Sequence, residues 1–293
     1  MSSVSFDPIA HLYDATRGYP EHVARQIALA IEQSAEVTPK TAFFEVGIGT
    51  GRIAFPLASL GHTYTGIDIS QKMLAELRKK LLLNDWQEDT CSWGTWLDED
   101  TTFTPHVQRF SCAAKHASMR LVFSDMTQLP FHNASFDVVI AVHVFHLVAQ
   151  WAQAVREVRR VLRPGGILLH CWDEDAKVDV QLIGEQWRKF LRELGEGSSR
   201  PGASSPEVVS DCLRAQGLQP QLLYPFSWYL MVTPRQVIEN ITQRYWSGTW
   251  SIPDAIFSAA TERLWQWADV YYENELDMPR RQERRFVISR TVV

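Results

Sequence analysis

Cysteine is scarce in this chain of 293 residues: there are four, at positions 91, 112, 171 and 212, with no C-x-x-C pair among them. That excludes a disulfide framework and the usual zinc spacings, so the thiols read as free. His106, Cys112 and His116 are near one another in sequence, yet no fourth ligand with recurrent spacing completes a site, and no metal is expected. Long apolar runs are missing too. Nothing approaches the roughly 20 residues that cross a bilayer, and Met1-Ser2-Ser3-Val4 has neither the positive nor the apolar region of a secretory signal. The expectation is a chain without a membrane span, working in the cytoplasm. Positive charge is also limited, since 29 lysines and arginines against 34 acidic residues leave a net charge of −5. A protein that tracks phosphate backbones carries a basic stripe, so no nucleic-acid partner is expected. Arg156, Arg159, Arg160 and Arg163 share a helix whose other face, Trp151, Val155, Val158 and Leu162, has core spacing, and they read as its solvated side. Arg280, Arg281, Arg284 and Arg285 read as a solvated turn before the last strand.

What is present is concentrated in Phe43-Phe44-Glu45-Val46-Gly47-Ile48-Gly49-Thr50-Gly51-Arg52. An apolar run ends in an acid and then in glycines at every second position, the pattern of a strand entering a tight turn that a ligand can approach closely. The dinucleotide fingerprint G-x-G-x-x-G seats a pyrophosphate on a helix N-terminus. Here the third glycine comes one residue early and Glu45 precedes the first by two. An acid at a strand end repels phosphate and suits an ammonium, so the cofactor implied is cationic and lacks phosphate. Thr63-Tyr64-Thr65-Gly66-Ile67-Asp68 then reads as a second strand ending in a carboxylate, with Ser70 capping a helix through Met73, Leu74, Leu77 and Leu81. Asp68 is placed to accept hydrogen bonds from a ribose diol.

At this point the chain resembles the class I S-adenosylmethionine-dependent methyltransferases, in the small-molecule branch that includes the ubiquinone and menaquinone C-methyltransferases. The resemblance covers roughly residues 8–175 and rests on five short motifs in order: Glu45-Val46-Gly47-x-Gly49-x-Gly51; Gly66-Ile67-Asp68-Ile69-Ser70 with Met73-Leu74; Asp125 with Leu129-Pro130-Phe131; Ser135-Phe136-Asp137-Val138-Val139; and Arg160-Val161-Leu162-Arg163-Pro164-Gly165-Gly166. It implies S-adenosyl-L-methionine as cofactor and S-adenosyl-L-homocysteine as product. It further implies that Glu45 and the turn at Gly47 and Gly49 hold the methionine part and Asp68 the ribose, with Gly51 also at the cofactor. Ile69 would pack on the adenine, Asp125 and Met126 would read its edge, and Met73, Val142 and His143 would complete the pocket. Tyr13 and Arg17, from Tyr13-Asp14-x-x-Arg17, match a pattern that closes over the cofactor in this family.

The order of elements predicts an α/β fold, a doubly wound, Rossmann-like, mostly parallel seven-stranded sheet with the last strand antiparallel, plus helical cap elements. Strands are expected at 42–47, 63–68, 120–125, 136–142, 166–173, 218–231 and 284–292. A single domain is expected: a core at 40–234 and 284–293, an N-terminal lid at 5–35, an aromatic insertion at 84–118 and a helical cap at 235–283. The insertion, with Trp86, Trp93, Trp96 and Phe103, either covers a substrate or packs on the sheet. The longer cap helix, 254–274, is expected to bury Ile256, Ala260, Leu264, Trp267 and Tyr271.

The stretch leaving the fourth expected strand, Ala141-Val142-His143-Val144-Phe145-His146-Leu147, sits where open α/β sheets bind ligands. It lacks the N/D-P-P-Y sequence of enzymes that methylate exocyclic base nitrogens, and Cys171 lacks the Thr-Cys context of RNA cytosine methyltransferases. His143 and His146 remain as candidate general bases. Tryptophans at 228, 246, 250, 265 and 267 suggest an apolar or flat methyl acceptor, reached by direct in-line transfer. The rival readings are a cofactor-binding protein without catalysis and a nicotinamide-dependent oxidoreductase.

Overall fold

The structure, a computed structural model, describes residues 3–89, 107–175, 180–197 and 201–293. Trp93, Trp96, Phe103, Cys91 and His106 lie outside the described residues. Nine strands form one sheet among the described residues: β1 (Ala42–Val46), β2 (Thr63–Asp68), β3 (Gln87–Glu88), β4 (Val107–Cys112), β5 (Ala117–Phe123), β6 (Phe136–Val142), β7 (Leu162–Asp175), β8 (Gln221–Val232) and β9 (Arg280–Val292). Their order is β3-β4-β5-β2-β1-β6-β7-β9-β8. The pairs β5/β2, β2/β1, β1/β6 and β6/β7 are parallel. Val293 and the Gly165-Gly166 turn exchange backbone bonds of 2.7 and 2.9 Å. The end of β9 therefore meets the start of β7, and the last strand runs antiparallel to it.

The expected count of seven strands is corrected to nine. The two additional strands come from the segment expected to be an insertion, where β4 pairs antiparallel with both β3 and β5. Phe110 and Cys112 are buried while Arg109 and Ser111 are exposed, the alternation of a sheet edge with one covered face. That pattern is only six residues long and hidden among polar ones. The central strand is different: β1 buries Phe43, Phe44, Glu45 and Val46 in succession, as a parallel strand covered on both faces does.

The helices are α1 (Tyr13–Arg17), α2 (Glu21–Ser34), α3 (Ala54–Ala58), α4 (Gln71–Leu82), α5 (Trp151–Val161), α6 (Gln181–Glu193), α7 (Pro206–Arg214), α8 (Pro234–Thr242) and α9 (Asp254–Tyr272). Ser70 caps α4 as its sequence position predicts, accepting the Met73 N–H at 3.1 Å. Among the described residues no helix is long and apolar enough to cross a membrane.

The chain divides into two compact units. The first holds Met1–Trp172, Pro201–Pro225 and Val287–Val293. Its core packs Phe44, Val46, Val139 and Leu168 of the sheet against Val155 and Val158 of α5 and Val209 and Leu213 of α7. Close approach matters at Gly66 in β2, where an added Cβ would lie 2.1 Å from the Ile48 Cδ1. Gly66→Ala is expected to lower stability by about 1–3 kcal/mol through overpacking. A urea midpoint equal to that of the parent would show that Ile48 swings aside without strain.

The second unit holds Asp173–Arg200 and Phe226–Phe286. Residues 173–200, expected in the core, thus cluster with the expected cap: Ile183, Trp187 and Leu191 of α6 share a buried cluster with Ile238 of α8 and with Leu264 and Ala268 of α9. The apolar stripe of α9 is rotated from the expected one. It runs Phe257, Ala260, Leu264, Ala268 and Tyr272, and Tyr271 is 48% exposed where Tyr272 is 4%. Small alanines at 260 and 268 extend the buried stripe, while Trp267 and Tyr271 stack on each other at 4.9 Å. Hydrophobicity alone does not separate these two registers. Trp250 of this unit gives its indole N–H to the Arg244 carbonyl at 2.7 Å.

Candidate functional site

The strand order reverses at β1. From it the chain goes outward through β2 to β5, then returns to β6 and β7 on the other side. Such a switch point leaves a crevice at the carboxyl ends of the strands, and a cavity lies there, entirely within the first unit. Gly47 and Gly49 line it from the turn after β1, Asp68 and Ile69 from the end of β2, and Met73 from α4. Asp125 and Met126 follow β5, and Val142, the last residue of β6, leads into His143 and Val144 on the far side. Val4, Phe6 and Tyr13 close it from the N-terminal segment.

The turn is built by backbone bonding. The N–H groups of Gly47 and Ile48 both donate to the Ile67 carbonyl, at 2.9 and 2.8 Å. Gly47 and Gly49 take φ of 74° and 56°, in the left-handed region that favours glycine. A Cβ on Gly47 would stand 2.6 Å from Val144 Cγ2, and one on Gly49 would stand 3.1 Å from Met73 Cε. Both glycines therefore keep the main chain close to the cavity wall.

Asp68 is held from two sides. Its Oδ2 accepts the Gly49 N–H and its Oδ1 the Ser70 N–H, each at 2.8 Å. Burial raises its pKa to about 6 against the pull of these two donors. The carboxyl is therefore mainly ionised at neutral pH while facing a cavity with apolar walls. Asp125 holds its own turn by accepting the Thr127 N–H at 2.8 Å.

Three residues expected at the cofactor are not among those that line this cavity. Glu45 is buried, with Oε2 accepting the Tyr64 hydroxyl at 2.7 Å. Burial pushes its pKa up to about 8, opposed by the Tyr64 bond and the Arg52 charge. Burial thus favours the neutral form of Glu45, a loss of water that the sequence does not show. Gly51 lies against Leu77 of α4 and serves helix packing. Arg17 sets its guanidinium 5.2 Å from the Phe6 ring centroid and 5.5 Å from that of Tyr13, behind residues that face the cavity.

The two histidines separate. His143, in the left-handed region with φ of 49°, donates its backbone N–H to the Cys171 carbonyl at 3.1 Å and lines the cavity. His146 belongs to a 3-10 turn, Phe145–Leu147, and is not part of that lining. A third histidine was not expected. His170, in β7 opposite Ala141, is buried between the rings of Phe145 and Trp172, each centroid 5.1 Å away. Burial, then the neighbouring His143, pushes its pKa down to about 3, so it stays neutral. Its neighbours in sequence draw attention to Cys171 instead, and only the strand register reveals the imidazole. Phe6 and Val4 were likewise missed, because an isolated apolar residue near a terminus carries no periodicity. Among the described residues no group of three or more His, Cys, Asp or Glu is arranged to hold a metal.

An open, doubly wound sheet with a glycine turn and a buried acid at its switch point defines a nucleotide-binding α/β protein of Rossmann-like type. Within that class, residues 44–168 match the profile of a methyltransferase domain family, and this match together with the relatives below supports a class I S-adenosylmethionine-dependent methyltransferase. It is 24% identical to the demethylmenaquinone methyltransferase of Parafrankia sp. over 214 residues, 72% of this chain and 78% of that protein. It is 29% identical to the highly reducing polyketide synthase bet1 of Neocamarosporium betae over 147 residues, 49% of this chain and 4% of the synthase. A similar match, 27% over 219 residues, covers 68% of this chain and 7% of the synthase ACTTS3 of Alternaria alternata. The chain thus spans only a small part of these synthases. In structure it resembles the [4+2]-cyclase SpnF, with a TM-score of 0.55 and 17% identity, covering 98% of this chain and 93% of that one. It also resembles the YcgJ protein of Bacillus subtilis, with a TM-score of 0.54 and 16% identity, covering 91% and 97%. These two likenesses show the fold.

The cofactor of the family is S-adenosylmethionine, and the cavity suits it. Two glycines at which a Cβ would crowd the wall, a half-buried carboxylate able to accept a diol, and apolar wall residues Ile69, Met73 and Met126 match a nucleoside joined to an amino acid.

Proposed function

We propose that the protein methylates a small, apolar or aromatic molecule by direct in-line transfer. The observation that carries this reading is the convergence of the glycine turn, Asp68, Asp125 and His143 on one apolar cavity at the switch point of the sheet. In it Asp68 would hold the ribose hydroxyls and Asp125 the edge of the adenine, with Ile69 and Met126 packed on its faces. Gly47 and Gly49 would take the methionine part, and Tyr13 would cover it. When bound, the cofactor supplies an electrophilic methyl group on a sulfonium.

His143 is the group at this cavity suited to take a proton from an acceptor hydroxyl, amine or activated carbon. Val144, Leu147 and Val148 keep that side of the cavity apolar, which excludes water from the reacting atoms. Positioning of two bound reactants contributes roughly 7–11 kcal/mol in favourable cases, so the protein's part is mainly alignment. The similarity to a demethylmenaquinone methyltransferase over most of both chains supports a small flat acceptor.

The test uses S-adenosylmethionine labelled in its methyl group, with a panel of quinols, phenols, enols and amines. Label is expected in an extractable product, with one S-adenosylhomocysteine formed per transfer. His143→Ala is expected to lower kcat roughly 100-fold, the scale of general-base loss, with the Kd for S-adenosylmethionine within threefold of the parent. Cofactor binding without transfer to any acceptor would favour a binding protein, and tight binding of NAD in its place would favour the oxidoreductase.

A further inference from the structure

One wall of the cavity, Val4, Phe6 and Tyr13, comes from the first 17 residues. This segment comprises a 3-10 stretch, Asp7–Leu12, and the five-residue α1. Of its described side chains only Phe6 and Ala10 are buried. It is attached mainly by polar contacts. Val4 donates its N–H to the Leu147 carbonyl at 2.9 Å. Asp14 accepts the Thr50 hydroxyl at 2.5 Å and pairs with Lys80 at 2.6 Å. Arg52 donates to the Arg17 carbonyl at 3.0 Å. Segments held this way open at far lower cost than a packed core.

Asp7 provides a further attachment. Its Oδ1 accepts the Ser70 hydroxyl at 2.5 Å and the Lys72 N–H at 3.1 Å. Ser70 is also the residue whose backbone N–H holds Asp68 Oδ1 at 2.8 Å. One residue therefore joins the wall of the cavity to the carboxylate assigned to the ribose, and Asp7 lies on the first turn of α4, where the free N–H groups favour an anion.

We infer that Asp7 is a positioning residue: through Ser70 it latches the N-terminal wall beside Asp68, so that holding the wall closed and retaining the nucleoside are one coupled event. This rests on the cofactor assignment above. Asp7 lies outside the five motifs that carry the family resemblance, and it acts on the ligand only through Ser70 and the wall.

Two readouts test it, using Asp7→Ala and the conservative Asp7→Asn, whose amide oxygen still accepts from Ser70 and Lys72. In the ligand-free protein, trypsin cleavage after Arg17, followed as release of the N-terminal peptide by mass spectrometry, is expected to rise at least 10-fold in Asp7→Ala and to return to near the parent rate in Asp7→Asn. The dissociation rate of S-adenosylhomocysteine is expected to rise at least 10-fold in Asp7→Ala, with the association rate changed less than threefold. Cleavage at the parent rate in Asp7→Ala overturns the latch. Faster cleavage with an unchanged dissociation rate overturns the coupling. Should the parent protein itself fail to bind S-adenosylhomocysteine, the cofactor assignment fails and the coupling with it, while the proteolysis still decides the latch. Failure of Asp7→Asn to restore either rate also counts against it.

Discussion

Asp68→Ala is expected to weaken S-adenosylmethionine binding at least ~100-fold in titration calorimetry, the largest effect of any single substitution on the site. The carboxylate faces the cavity with both oxygens already fixed by backbone donors from Gly49 and Ser70, and its remaining lone pairs are those a diol would meet. A hydrogen bond to a charged group contributes about 1.5–3 kcal/mol, so two of them correspond to more than two decades in Kd. The substitution also releases the Gly49 N–H and so loosens the turn, adding to the loss. Circular dichroism and a retained cooperative melt would show that the fold survives. Affinity within threefold of the parent would mean that Asp68 serves only the turn and the cap of α4.

The second large effect is on stability. Glu45 has an ordinary pKa of 4.5 that burial raises to about 8 in the folded protein. Its folded pKa is the higher one, so its contribution is fully present below pH 4.5 and is lost as pH rises through 8, because the unfolded chain gives up the proton more readily. The cost of ionising it in place is on the order of a few kcal/mol. Glu45→Gln keeps an oxygen to accept from the Tyr64 hydroxyl and cannot ionise. The variant is therefore expected to gain stability relative to the parent between pH 5 and pH 8.5, with urea denaturation at both pH values as the measurement. Asp68, raised to about 6, titrates in the same direction but is common to both proteins and largely cancels in their difference. A stability difference independent of pH would show that Glu45 does not titrate in this window. The result also bears on binding: if Glu45 is neutral in the free protein, a cationic ligand meets Asp68 as the nearer source of negative charge.

Much of the architecture was legible because its signals are local. The apolar run, alternate glycines and following helix mark β1 and its turn within ten residues, and the Ser70 cap with Met73, Leu74, Leu77 and Leu81 marks α4 within twelve. Alternation of strands and helices led to the parallel centre of the sheet. The edge was not legible, because β4 offers only a short alternating pattern and an edge strand is defined by the neighbour it pairs with. The rotation of the α9 stripe escaped for a related reason: Tyr271 and Tyr272 are equally apolar in sequence, and only packing within the second unit selects Tyr272.

The sequence by itself determined the class of this protein, the two strand–turn–helix units that frame its cavity and the acid that ends β2, because each depends on residues a few positions apart. Tertiary structure alone decided which acid loses its water and which histidine faces the cavity, since burial shifts Glu45 toward its neutral form and the turn after β6 directs His143 inward while leaving His146 aside. It also decided what closes the site: Asp7 meets Ser70 across 63 positions of chain, a distance over which no local pattern records the contact.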